Sequence, residues 1–145
     1  MNSVIQILSN IPEMKEIFLS SRNFQSDLAA CYAQLMRESW DSSLTSASPH
    51  LLRKILHTFP GLQRGQQDPS EFLKCFLAEL EKEVKEVKTN FSGWITHNTE
   101  CSRCHNETEQ TNGFEDLALA IPSSSKVTLE SCLEAQLKPR KMSDV

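Results

Sequence analysis

The stretch Leu62–Leu80, LQRGQQDPSEFLKCFLAEL, sets the reading of the whole chain. Leu73, Phe76, Leu77 and Leu80 recur at three and four residues, and Val84 and Val87 extend the series. This spacing predicts one helix from Pro69 to about Lys88. Asp68 then falls at the N-cap, Pro69 at the first helical position and Glu71 at the third, where an acid can bond back to the cap amide. A cap of this kind contributes about 1 kcal/mol. Capping explains Asp68 and Glu71 with no ligand, but it does not require the adjacent Gln66 and Gln67. A polar platform at a helix N-terminus can also grip something.

On the N-terminal side the pattern stays helical. Val4, Ile5, Leu8 and Ile11 share a face, and Pro12 opens the short segment PEMKEIFLSS. Asp27 is the expected N-cap of LAACYAQLMRESW, with Leu28, Cys31, Tyr32, Leu35 and Met36 on one side. Residues 41–48, DSSLTSAS, form a polar linker, after which Ser48 and Pro49 cap HLLRKILHTF. On the C-terminal side the period changes at Thr89. GWITHNTE (93–100) and GFEDLALAI (113–121) lean towards strands around CSRC, and Thr128, with Ser131 at the third position, starts a last helix. A helical half followed by a β-rich part makes the fold class α+β.

The 145 residues suit one domain, with 39% hydrophobic and 23% charged residues and a net charge of −4. Lys and Arg are dispersed, so no basic stripe could track nucleic-acid phosphates. The apolar runs fall well short of the roughly 20 residues a membrane span needs. MNSVIQILSNIP has no basic start and its apolar run is broken by Ser3, Gln6 and Ser9, unlike a signal peptide. An odd count of five cysteines then favours reduced thiols in the cytoplasm or nucleus.

Cys101-x-x-Cys104 offers two thiolates to one tetrahedral Zn²⁺, which needs four ligands, so the pair is half a site. His97 and His105 lie close enough in sequence to complete it, although their spacing matches no recurrent zinc pattern. A redox dithiol would want its first cysteine at a helix N-terminus after a strand, and polar residues with strands flank this pair instead. Cys31, Cys75 and Cys132 sit on apolar helical faces, where inert buried thiols are the default. His50 and His57 read as surface or partly buried residues. No Cys/His or Ser/His/Asp set for nucleophilic catalysis stands out.

Taken in order, several of these pieces resemble the ubiquitin-specific proteases. That family follows its catalytic Gly-Asn-Thr-Cys-Tyr box with a helix similar to MNSVIQILSNIP. Its Gln-Gln-Asp-x-x-Glu-Phe-Leu string is matched by Gln66-Gln67-Asp68-Pro69-Ser70-Glu71-Phe72-Leu73. Its Phe-x-Gly, CxxC and Phe-x-Asp-Leu-x-Leu-x-Ile elements are matched by Phe91-Ser92-Gly93, Cys101-x-x-Cys104 and Phe114 through Ile121. The resemblance covers nearly the whole chain, weakening after about Leu137.

It implies a papain-like fold, with a helical thumb over 1–88, the start of the fingers with a zinc-knuckle half-site over 89–137, and a divergent tail over 138–145. It further implies hydrolysis of the bond after ubiquitin's C-terminal glycine. Gln67, Asp68 and Glu71 would face ubiquitin's extended tail, whose arginines suit carboxylates. Structural zinc would sit on Cys101 and Cys104, and ubiquitin or ubiquitinated proteins would be the partners, with no nucleic acid or membrane.

By the same resemblance the nucleophilic cysteine would precede Met1, with one tyrosine between, and the general-base histidine would follow Val145. The second CxxC is unmatched, and KPRKMSDV departs from the family's acidic, leucine-containing continuation. The expectation is therefore a protease truncated at both ends and inactive in isolation. The alternatives are a non-catalytic ubiquitin- or partner-binding product and a small metal-binding domain. Cys31-Tyr32 is no substitute nucleophile, because it lies mid-helix on an apolar face without the glycine-asparagine turn.

Overall fold

Proline opens three helices of the first part of the chain, at Pro12, Pro49 and Pro69. There its fixed φ suits the first turn and its missing N–H leaves no bond unmade. The computed structural model describes residues 2–43, 48–62, 68–123 and 127–140, which fall into two units divided between Phe91 and Ser92.

The first unit contains α1 (Asn2–Leu8), α2 (Pro12–Phe18), α3 (Asp27–Trp40), α4 (Pro49–His57), a 3₁₀ turn (Pro60–Leu62), α5 (Pro69–Glu81) and α6 (Lys85–Phe91). Its core is threaded by aromatic rings. Tyr32 of α3 meets Phe18 edge-on at 4.8 Å and Phe76 of α5 edge-on at 5.1 Å, while Phe18 stacks on Phe24 at 5.0 Å. Leu8, Met14, Met36, Ile55 and Leu80 fill the space around these rings. Such edge-to-face pairs add about 0.5–1.5 kcal/mol each beyond the area they bury.

Three expectations for this unit need correction. The cap of α3 is Ser26, whose Oγ accepts from the Ala29 N–H at 3.2 Å, and Asp27 is already the first helical residue. The expected long helix breaks after Glu81 and resumes at Lys85. The break frees Glu83 to accept from the amides of Gln25 (2.5 Å) and Ser26 (2.9 Å) at the head of α3, and it keeps both Val84 and Val87 buried. Cys75 is exposed rather than buried. The stripe that α5 buries is Phe72, Phe76 and Leu80, and Cys75 lies about 100° round the helix from Phe76.

Ser48 does precede α4, but its hydroxyl makes no cap bond; its N–H donates to Glu38 Oε2 at 2.7 Å and ties the linker's end to α3.

In the second unit β1 (Gly93–Glu100) pairs antiparallel with β2 (Glu107–Phe114), from Gly93 opposite Phe114 to Glu100 opposite Glu107. β1 covers the predicted residues. β2 does not: of the expected 113–121 strand only Gly113 and Phe114 belong to the ladder. The turn at Cys101–Cys104 fixes the register, so pairing uses up the polar ETEQTNGF. Threonines supply its β-branched character, Thr96 lying opposite Thr111 with their hydroxyls 2.9 Å apart and Thr99 opposite Thr108. Beyond β2, Leu117 and Leu119 alternate half-buried with exposed neighbours, in no ladder among the described residues.

At the hairpin base Phe114 covers Gly93 so closely that a Cβ there would stand 2.8 Å from the ring, and Trp94 lies over Gly113. The last helix, α7 (Leu129–Leu137), has the expected start. The Thr128 hydroxyl accepts from the Ser131 N–H at 3.2 Å, and the Ser131 hydroxyl accepts from the Thr128 N–H at 3.0 Å.

Candidate functional site

α5 starts at the predicted cap. Asp68 is extended, at φ −67° and ψ 119°, and its Oδ1 accepts from the Ser70 N–H at 2.8 Å. Its carbonyl accepts the first helical bond, from the Phe72 N–H at 3.1 Å. Pro69 occupies the first helical position, and Glu71 lies in the first turn with its side chain exposed, as is that of Asp68. Two solvent-facing carboxylates thus stand within one turn at the positive end of a helix, anchored from below by buried Phe72. Gln66 and Gln67 lie outside the described residues.

The second candidate is the hairpin tip. The Cys101 N–H donates to the Asn106 carbonyl, and the His105 N–H donates to the Cys101 carbonyl, both at 2.9 Å. His105 closes the turn in the left-handed region at φ 55°. The nearby backbone amides of Cys104 and Arg103, and then the Cys104 thiol, hold the Cys101 thiol below the usual cysteine range. Both cysteines are exposed.

Neither histidine joins them. His97 sits within β1 opposite Gln110, and the His105 Nδ1 lies 2.6 Å from Glu100 Oε1. Among the described residues no group of three or more His, Cys, Asp or Glu is arranged to hold a metal. The Glu100–His105 pair escaped the sequence reading, although the near-palindrome Glu-Cys-Ser-Arg-Cys-His around a tight turn brings these two residues face to face. A redox reading gains nothing, since Cys101 follows a strand but enters a turn, not a helix. Cys31 is half-buried in the middle of α3, and Cys132 is buried in α7.

The ubiquitin carboxyl-terminal hydrolase family matches residues 1–140. The chain belongs to that family. It is 26% identical to ubiquitin carboxyl-terminal hydrolase Usp2 of Drosophila melanogaster, over 92% of this chain and 19% of the relative. It is 27% identical to ubiquitin carboxyl-terminal hydrolase 22 of Homo sapiens, over 86% of this chain and 28% of the relative, and equally identical to the Bos taurus protein of that name. The chain therefore spans less than a third of the length of these relatives.

Membership of the ubiquitin carboxyl-terminal hydrolases brings the papain-like α+β fold, to which the described residues contribute helices and one antiparallel hairpin. No helix among the described residues is long and apolar enough to cross a membrane.

Proposed function

We propose that these residues form the substrate-holding helical part and the first hairpin of a deubiquitinating cysteine protease, which hydrolyses the bond after ubiquitin's C-terminal glycine. The observation that carries this reading is the pair of exposed carboxylates, Asp68 and Glu71, at the head of α5. A carboxylate has capacity for more than one bond, so Asp68 can cap the helix and still receive an arginine of ubiquitin's tail. Gln67, which precedes Asp68 in the sequence, is assigned the same role. Thiol hydrolysis needs a thiolate, a base and oxyanion donors. We assign these residues to holding ubiquitin, and the 145-residue chain alone is expected to be inert as a hydrolase.

The test is titration of isotope-labelled ubiquitin with the chain, followed by NMR. Shifts should concentrate at the C-terminal tail. Asp68→Asn and Glu71→Gln should each weaken binding about fivefold, the scale of an exposed charge pair worth about 1 kcal/mol. Asparagine caps as well as aspartate, so Asp68→Asn removes the charge and leaves the helix start intact. No tail shifts, or unchanged affinity in both variants, would sink the reading.

We further propose that Cys101 and Cys104 supply two of the four ligands of a structural Zn²⁺. The amides near the Cys101 sulfur favour the thiolate that zinc requires. Zinc added to the isolated chain should then bind weakly, and Cys101→Ser should abolish that binding in a competition assay with a chromogenic chelator. Retained binding in the variant would point to other ligands. Five free thiols suit a reducing compartment, and we place the protein in the cytoplasm or nucleus.

A further inference from the structure

Phe59 lies between the tail of α4 and the 3₁₀ turn that leads towards Asp68. Its N–H donates to the Leu56 carbonyl at 3.1 Å, extending the winding of α4. Its ring meets Phe72 edge-on at 5.7 Å and 84°, and Phe76 at 6.3 Å and 61°. Phe72 and Phe76 are fully buried and stacked on each other at 5.5 Å. Phe72 is also the residue whose N–H closes the first turn of α5 onto Asp68.

The chain therefore leaves α4 at one aromatic anchor and enters α5 at another, and the two anchors touch. Edge-to-face packing is directional, so it restrains the rotation of α5's first turn as well as its distance from α4. Rotation of that turn decides where Asp68 and Glu71 point. From this we infer that Phe59 is a positioning residue for ubiquitin's tail: acting through Phe72, it holds the two carboxylates in the direction the tail needs. The inference rests on the substrate-holding role of Asp68 and Glu71.

The test uses the 145-residue chain and labelled ubiquitin, with thermal melting and circular dichroism run on every variant. Phe59→Leu keeps most of the apolar volume and loses the ring geometry. It should weaken tail binding by about the two carboxylate effects combined, roughly 25-fold, with the helical signal retained. Phe59→Tyr keeps the ring and should restore wild-type affinity.

A residue with only a general structural role would not pass the next measurement. In the Phe59→Leu background Glu71→Gln should cost nothing further, because a carboxylate that no longer points at the tail has nothing left to lose. Full additivity of the two changes overturns the inference, as does wild-type affinity in Phe59→Leu while Asp68→Asn and Glu71→Gln still weaken binding. Unchanged affinity in both carboxylate variants removes the platform itself, and the positioning role falls with it.

Discussion

Replacing Tyr32 by alanine is expected to lower stability by about 3–5 kcal/mol, the cost of emptying a fully packed aromatic site. Tyr32 is completely buried and joins α3 to α5, with Phe18 on one side and Phe76 on the other. Alanine would forfeit both edge-to-face contacts and leave a cavity that rings on separate helices cannot collapse to fill. The loss approaches the whole stability of a small domain, so much of the chain should be unfolded at ambient temperature. Tyr32→Phe should behave in the opposite way. Among the described residues the Tyr32 hydroxyl is buried without a partner in hydrogen-bonding geometry, and burial raises its pKa well above the usual tyrosine range, opposed by the nearby Ser9. Removing a buried polar atom that makes no bond is neutral or stabilising. Urea denaturation of the two variants measures both effects. A loss of about 2 kcal/mol or more in Tyr32→Phe would show that the hydroxyl is satisfied after all, for instance by a bound water.

The second large effect is expected at Glu83. Its carboxylate takes the amides of Gln25 and Ser26 at the head of α3, a capping role played from a distant part of the chain. Glu83→Ala removes two charge-assisted bonds and should cost about 1–3 kcal/mol. The pH dependence follows from the same contacts. The Ser26 hydroxyl first, and then the Gln25 amide, hold the Glu83 carboxyl below the ordinary glutamate value of 4.5. A depressed carboxyl stabilises the fold fully above its unfolded pKa, and the contribution drains away as pH falls through the folded one. The stability gap between wild type and Glu83→Gln should therefore hold steady near neutrality and narrow below the ordinary glutamate range. Denaturation curves across that range decide it; a gap independent of pH would mean that the carboxylate charge is not what holds α3.

The sequence made some of these features legible and hid others, for reasons that can be traced to particular residues. Some caps that depend on near neighbours could be read directly, as with Asp68 before Pro69 and Thr128 with Ser131, whereas at the head of α3 the cap fell one residue earlier, on Ser26. Glu83 could not, since its partners lie far away in the chain and only the tertiary fold brings them within reach. The same long-range bonds explain why the continuous apolar series from Leu73 to Val87 is interrupted. The β2 assignment failed for another reason. Hydrophobic alternation points to Phe114–Ile121, whereas the strand forms in the polar run before it, where paired threonines and the turn at Cys101–Cys104 set the register. The exposed acids at the head of α5 could be read because capping places them there, and the binding role proposed for them asks for the same residue types at the same places. Its support by Phe59 was invisible, because nothing local links a phenylalanine at the end of α4 to one inside α5.

The threonine-paired hairpin has a mechanical consequence. Each strand is 8 residues long, which at a rise of about 3.3 Å per residue sets the cysteine turn about 25 Å from the Gly93–Phe114 base. Aromatic cover is concentrated at that base, where Phe114 lies against Gly93 and Trp94 against Gly113. The hairpin is thus an arm packed at its two glycines and open at its cysteines. A swing of about 5° there carries the sulfurs of Cys101 and Cys104 through about 2 Å over that length.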